Sequence, residues 1–210
     1  FFKLSLAQWS LNKAVREGGQ SPLDFAQRAS ELGFEGIEYV SQLYTKELEK
    51  DDDPKVAMAN MLKVLKEKSE TYKVTNVLIM VDREGHLATL DDKERAQTIE
   101  NHKKWVDAAQ FLGCHSIRVN AHGVGTYEEV AEAAVKGLTD LSTYAATKGI
   151  NIIVENHGGY TSNGKWLAEV MAKVNMPNCG TLPDFGNFCM TEGYGSINSE
   201  KCDDPYEVLL

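Results

Sequence analysis

Positive charge is scarce in this chain of 210 residues: 22 Lys and Arg stand against 31 Asp and Glu, a formal net charge of -9. A nucleic-acid partner wants a basic face to neutralise phosphates, and here the basic residues are scattered, so no nucleic-acid partner is expected. The Lys103-Lys104 pair falls on a helical segment and reads as a solvated face. Long apolar runs are missing as well. None approaches the roughly 18–20 residues of a membrane span, so no membrane partner is expected either. Cysteine is sparse: Cys114, Cys179, Cys189 and Cys202 form no C-x-x-C pair and no zinc-finger spacing, and nothing requires a disulfide. Cys114 precedes a strand and reads as a small buried hydrophobe. No Ser or Cys sits in a nucleophile elbow, which speaks against acyl transfer. The first strand lacks the Gly-x-Gly-x-x-Gly turn that would support a dinucleotide-binding sheet, and no organic cofactor is expected. The sequence opens on Phe1 rather than Met, compatible with a removed signal peptide, which leaves cytoplasm and periplasm both open.

What the chain does have is one unit repeated. A short strand over Phe2–Ala7 is followed by a helix capped by Ser21, with Pro22 at its first position and an apolar stripe of Phe25, Ala29 and Leu32. Gly36–Val40 reads as a strand, and Pro54–Thr71 as a helix with Val56, Ala59, Leu62 and Leu65 inward. Asn76–Val81 is a third strand. Asp91 or Asp92 then opens a long helix with Ala96, Ile99, Val106 and Ala109 inward, ahead of a strand at Ser116–Asn120. Thr126-Tyr127-Glu128-Glu129 has the form of a capping box. Its helix carries Val130, Ala134, Leu138, Leu141 and Ala145 and stops at Gly149, before the strand Ile152–Glu155. A shorter helix near Trp166–Val174 leads to a strand at Gly180–Pro183.

Strand centres recur every 29 to 40 residues with no Pro/Ser-rich linker. Strands and helices alternating at this pitch imply an α/β fold with a parallel sheet. An open doubly wound sheet and a (β/α)₈ TIM barrel compete, and the missing glycine-rich turn favours the barrel. A complete barrel takes eight strands and about 250 residues. Six strands are counted here, so residues 1–210 are expected to form a single barrel domain lacking the last two βα units. Asp204–Leu210 reads as the first turn of a further helix.

Barrel chemistry sits at the C-terminal strand ends. The polar residues there are Gln8 and Trp9, Glu38, Asp82, Asn120 with His122, Glu155 with Asn156 and His157, and Asp184 with Asn187. Ile152-Ile153-Val154-Glu155 is a buried strand that ends in a carboxylate, and Leu182-Pro183-Asp184 repeats the arrangement before Gly186. Two carboxylates at two strand ends could share one hard or borderline metal ion. The set suits metal-assisted or proton-transfer chemistry.

Val154-Glu155-Asn156-His157-Gly158-Gly159 and Leu182-Pro183-Asp184-Phe185-Gly186-Asn187-Phe188 resemble the sugar phosphate isomerase/epimerase family, the xylose isomerase-like TIM barrels. Leu32–Glu38 and Leu112–Val119 resemble the family's early helix-to-strand junctions. The resemblance implies a divalent metal (Mn²⁺, Mg²⁺, Co²⁺ or Zn²⁺) held by Glu, Asp, His and Glu from successive strands. Glu155 matches the first ligand and Asp184 the second; the His and final Glu are expected beyond Leu210. By the same analogy Glu155 is also an acid/base, moving a proton beside a carbonyl while the metal stabilises an enediolate. The implied function is isomerisation or epimerisation of a sugar, sugar phosphate or polyol, and a homo-oligomer is compatible with it. Family ketose epimerases often place a His where this chain has Asn187, and Asn carries no proton at neutral pH. A lyase or dehydratase acting on a keto-inositol or an oxidised glycoside therefore stays open, as does a metal-free carbohydrate-binding barrel. An apurinic-site endonuclease fits poorly with five histidines and an acidic balance.

The other candidates carry bland alternatives. Glu155 could be a structural acid paired with an Arg, and Asp184 could cap a turn. His157 and His122 are placed as substrate contacts against backbone-bonding roles, and Asn187 as a hydroxyl partner. Trp9 could stack on a sugar ring or pack the barrel mouth, and Glu38 could face substrate or orient neighbours. His86, His102 and His115 read as surface or junction residues, and Tyr39, Tyr44 and Trp105 as packing.

Overall fold

A computed structural model describes residues 3–188, 190–191 and 194–195. The expected start of the first strand at Phe2, the cysteines Cys189 and Cys202 and the expected turn over 204–210 lie outside the described residues. In chain order the elements are β1 (Ser5–Ala7), α1 (Asn12–Arg16), α2 (Phe25–Glu31), β2 (Gly36–Val40), α3 (Thr45–Leu48), α4 (Pro54–Thr71), β3 (Thr75–Met80), α5 (Asp92–Leu112), β4 (Ser116–Val119), α6 (Tyr127–Ala146), β5 (Asn151–Glu155), α7 (Gly164–Val174), β6 (Cys179–Leu182), β7 (Met190–Thr191) and β8 (Tyr194–Gly195). Strands β1 to β6 form one sheet in the order β1-β2-β3-β4-β5-β6, and β1–β2, β2–β3 and β5–β6 pair in parallel. A doubly wound sheet reverses its order at a switch point. Strict sequential order is that of a barrel. A two-residue antiparallel ribbon, β7–β8, is too short to announce itself by periodicity.

Two compact units divide the chain, Phe1–Arg83 with Trp105–Ile117, and Glu84–Lys104 with Arg118–Leu210. In the first unit Ser21 accepts from the Leu23 N–H with Pro22 in first position, the expected cap, although the first turn is 3-10 and α2 begins at Phe25. Phe25 and Ala29 are buried, but Leu32 is 56% exposed. Leu32 is the C-cap residue, still in αR with its N–H on the Arg28 carbonyl. Helix α4 has the expected bounds, capped by Asp53, which accepts from the Lys55 N–H. Its inward face is turned from the one expected: Ala57, Met61, Leu62 and Leu65 are buried, whereas Val56 and Ala59 are exposed. Apolar residues crowd more than one side of this helix, so periodicity permits two stripes and packing selects one. The Tyr39 hydroxyl donates to Asn76 Oδ1 at 2.8 Å, and Asn76 Nδ2 donates to the Leu112 carbonyl and to Ser69 Oγ. Burial holds the Tyr39 phenol well above its ordinary pKa, so it serves as a donor. Tyr44, Trp105 and Cys114 are buried packing residues as expected. Burial pushes the Cys114 thiol up to about 12.

In the second unit α6 begins with the capping box: the Glu129 N–H reaches Thr126 Oγ1, and the Glu129 carboxylate accepts from the Thr126 N–H. The Thr126 N–H and hydroxyl both donate to that carboxylate and hold the Glu129 carboxyl below the usual carboxylate range. Val130, Ala134, Leu138, Leu141 and Ala145 are all buried, as their spacing predicts. Asp91, not Asp92, caps α5 through the Lys93 and Glu94 N–H groups. Ala96, expected inward, is exposed, and His102, expected at the surface, is buried. Its Nδ1 lies 2.8 Å from the Thr98 carbonyl, a bond within the helix that satisfies the ring away from water. The two expected solvated lysines are engaged: Lys103 pairs with Glu100 and lies over the Tyr144 ring, and Lys104 meets Glu84 at 2.8 Å.

Gly137 sits inside α6 where a Cβ would meet the Leu87 carbonyl oxygen at 2.1 Å. Gly→Ala in a helix interior ordinarily stabilises by about 1 kcal/mol. Here the sign reverses, because backbone would have to move: Gly137→Ala is expected to cost about 1–3 kcal/mol by overpacking. Urea denaturation checks this, and a variant more stable than wild type would show that the Leu87 segment yields freely.

Candidate metal and substrate site

The site grows from the ends of β5 and β6. In β5, Ile152 and Val154 are fully buried, and Glu155 and Asn156 complete the strand end while themselves 7% and 1% exposed. Parallel pairing sets Glu155 level with Leu182, so the chain leaving β6 carries Asp184 just past the Glu155 position. Asn156 fixes that placement. Its Nδ2 donates to the Asp184 carbonyl at 2.8 Å, and its Oδ1 accepts from the Asp184 N–H at 2.6 Å. A side-chain amide thus reproduces one rung of a ladder where β6 has already ended. Asp184 Oδ1 accepts from the Gly186 N–H at 2.7 Å, the turn-capping bond that Asp commonly makes. The same turn brings Asn187 Nδ2 to 3.3 Å from Glu155 Oε1.

The other oxygen of Glu155 faces a partner from β4. Arg118 Nε lies 2.6 Å from Glu155 Oε2, and both side chains are less than a tenth exposed. Asn120 Oδ1 accepts from Arg118 at 3.4 Å. Arg118 alternates with Ile117 and Val119, both 0% exposed, so it shares the face of Asn120 rather than theirs. An Arg set between fully buried aliphatic residues is a signal the sequence carries, since an unpartnered buried charge is prohibitive. Sequence reasoning allowed Glu155 an Arg partner without identifying it, and gave Asn156 no role.

Beyond Glu155 the chain turns through Gly158 and Gly159, both at positive φ. The His157 and Gly158 N–H groups donate to Thr161 Oγ1 and Ser162 Oγ. The imidazoles of His122 and His157 stand edge to face with centroids 6.4 Å apart, and His86 meets His122 in the same manner at 6.1 Å. The His122 carbonyl accepts from the Ala88 N–H, and a Cβ on Gly123 would lie 2.1 Å from the Ala88 oxygen, so glycine permits this close approach of the two loops. Glu155, Asp184, Asn187, His122 and His157 therefore belong to one unit, in two linked sets. Trp9 and Glu38 belong to the first unit. There Trp9 lies on a 3-10 turn after β1, 41% exposed, its carbonyl accepting from Asn12 Nδ2, and Glu38 accepts the Ser5 hydroxyl.

Among the described residues no group of three or more His, Cys, Asp and Glu side chains is placed to hold a metal ion. The donor chemistry of Glu155 and Asp184 nonetheless fits a divalent ion. Both carry carboxylate oxygens at the ends of adjacent strands, the donor type that hard divalent ions take, and Glu155 is ion-paired with Arg118.

A family model described as xylose isomerase-like TIM barrel matches residues 26–208. Among solved structures, a xylose isomerase domain protein from Planctomyces limnophilus is similar at 18% identity with a TM-score of 0.66, over 88% of this chain and 63% of that one. A D-tagatose 3-epimerase-like protein is similar at 17% identity with a TM-score of 0.68, over 88% of this chain and 66% of that one. The IolI protein, solved with a bound zinc atom, is similar at 18% identity with a TM-score of 0.61, over 86% and 62%. This chain thus spans a little under two thirds of the length of these structures. Comparison with curated protein sequences gives no match. No helix among the described residues is long and apolar enough to cross a membrane.

Proposed function

The chain belongs to the xylose isomerase-like TIM barrel family, and on that footing we propose that it is a divalent-metal-dependent isomerase or epimerase of a sugar, sugar phosphate or polyol. The observation that carries the reading is the pair of carboxylates, Glu155 and Asp184, on adjacent strand ends with Asn156 bonded to both faces of the Asp184 backbone. Glu155 and Asp184 would hold the ion. When bound, the ion supplies Lewis-acid stabilisation of the negative charge that develops on the substrate oxygen as a neighbouring proton leaves. One solved structure of this fold carries zinc, which makes Zn²⁺ a reasonable first ion beside Mn²⁺. Glu155 is the proposed proton carrier. His157 and His122 present ring nitrogens for substrate hydroxyls, and Asn187 contributes an amide. Trp9 and Glu38 are proposed as further substrate contacts.

A second reading is favoured by Asn187. Its amide already donates to Glu155 Oε1 and holds no transferable proton. A reaction that needs one proton-transfer group on one face, such as elimination from a keto-inositol or an oxidised glycoside, asks less of this position than epimerisation does.

The test uses the intact protein with Mn²⁺ or Zn²⁺, a panel of ketoses, keto-inositols and oxidised glycosides, and deuterated water. Metal uptake by calorimetry together with deuterium appearing at the carbon beside the carbonyl is the expected result. Sugar binding indifferent to chelator, with no deuterium incorporated, would instead establish a carbohydrate-binding barrel.

A further inference from the structure

We propose that the loops after β3 and β4 form a second subsite, built by His86, Leu90 and Val124, that takes an apolar aglycone. The substrate is then an oxidised glycoside rather than a free sugar. This subsite rests on the proposed function, in which a sugar is turned over beside Glu155.

Three imidazoles lead away from the end of β5. His157 follows Glu155 by two residues, His122 meets His157 with ring centroids 6.4 Å apart, and His86 meets His122 at 6.1 Å. Among the described residues His86 and His157 make no ring contact with each other, so His122 is the middle of a row. His157 and His122 are half-buried and His86 is exposed, so the row runs from the strand end toward solvent. Histidines that hold one metal ion converge on a point about 2.0–2.1 Å from each ring nitrogen. These rings are not so placed. A row suits an extended ligand instead, with a different part of it at each ring.

The same two loops carry exposed apolar side chains, Leu90 and Val124, 45% and 89% exposed. Scattered apolar residues at a surface are ordinary. These two share one rim. Leu90 Cδ1 lies 3.0 Å from where a Cβ on Gly125 would stand, and Gly125 is the residue after Val124. The rim is fixed from both sides: the Ala88 N–H donates to the His122 carbonyl at 3.0 Å, and the Tyr160 hydroxyl donates to the Gly125 carbonyl at 3.1 Å. A rim already ordered loses little freedom when a ligand covers it, so the apolar contact is kept as affinity.

Charge decides against a phosphate at this end of the substrate. Neither Lys nor Arg occurs over residues 84–91 or 120–126, so a phosphate would find no cation on either loop. A flat apolar group joined to the sugar through its glycosidic oxygen matches an imidazole edge beside aliphatic carbon.

The test is calorimetry of the intact protein with Mn²⁺ and two probes, phenyl and methyl 3-keto-β-D-glucoside. Wild type is expected to bind the phenyl compound about tenfold more tightly than the methyl one. Val124→Ser and His86→Ala are each expected to bring that ratio to about threefold or less. Val124 is so exposed that its replacement leaves folding intact, and it decides alone should His86→Ala not fold. Equal affinities in wild type, or a ratio that survives Val124→Ser, overturns the subsite. A Val124→Ser variant that changes sedimentation but not the ratio makes this rim a contact between copies and likewise overturns it. Deuterium entering D-fructose from solvent, with no binding of either glucoside, overturns the subsite while the isomerase reading stands. No binding of any of the three sugars and no exchange overturns both.

Discussion

Glu155→Ala is expected to destabilise the protein by about 3–5 kcal/mol, because it leaves the Arg118 guanidinium buried without its anion. Arg118 and Glu155 are 5% and 7% exposed, so water does little to replace the lost partner. At this chain length about 2–4 °C of melting temperature follows each kcal/mol, which places the loss well above experimental scatter. Glu155→Gln keeps a hydrogen-bond acceptor for Arg118 and is expected to lose less. The informative control is the double replacement Arg118→Met with Glu155→Leu. It removes both charges and fills the space with apolar atoms, so stability is expected to return to near the wild-type value. On the proposed ligand role of Glu155, metal uptake is expected to be lost in all three variants, because each lacks its carboxylate. Thermal melts followed by circular dichroism separate the structural part of the charge pair from its chemical part. An alanine variant that melts within a degree or two of wild type would mean that the pair is solvated and that no buried guanidinium is left behind.

Trp166→Ala comes next in expected size, at about 3–5 kcal/mol for removal of a fully buried tryptophan. Trp166 is 0% exposed on α7 and stacks on Tyr160 with ring centroids 5.8 Å apart. Its indole N–H donates to the Tyr127 carbonyl at 3.1 Å, in the first turn of α6. Tyr160 in turn meets the Tyr127 ring edge to face and donates its hydroxyl to the Gly125 carbonyl. One indole therefore joins the loop that follows Glu155 to the segment that opens α6. Its removal is expected to free the 157–162 loop as well as to lower the unfolding midpoint. Urea denaturation measures the first-order cost, and faster amide exchange at Gly158 and Ser162 measures the second. Trp166→Phe keeps most of the apolar area and loses only the N–H, so it should cost nearer about 1 kcal/mol. Equal losses for Phe and Ala would show that the hydrogen bond, rather than the ring, is what matters.

Local chemistry was legible in the sequence where neighbouring residues carry all of the information. The capping box of α6, its apolar period and its stop at Gly149 lie within one helix, and each is present as read. The run Ile152-Ile153-Val154 closing on Glu155 is a strand with its carboxylate at the end. The recurrence of helix, stop and strand was enough to call for a parallel sheet in barrel order. Even local periodicity failed where it was degenerate. Helix α4 has apolar residues on more than one side, and the core took Ala57 and Met61 in place of Val56 and Ala59.

Only the tertiary structure decided which groups meet. Asn156 and the Asp184 backbone lie 28 residues apart, and Asn187 and Glu155 lie 32 apart. Each pairing depends on the register of β5 against β6, and a shift of one residue would turn every side chain to the other face. The ion pair of Arg118 with Glu155 has the same origin, for the charge of Arg118 is written in the sequence but its partner is not. The sequence by itself determined the kinds of groups at the strand ends, because alternation along a strand is a property of the backbone. The fold determined which partners meet the Glu155 carboxylate, because that depends on distances between strands, which only packing sets.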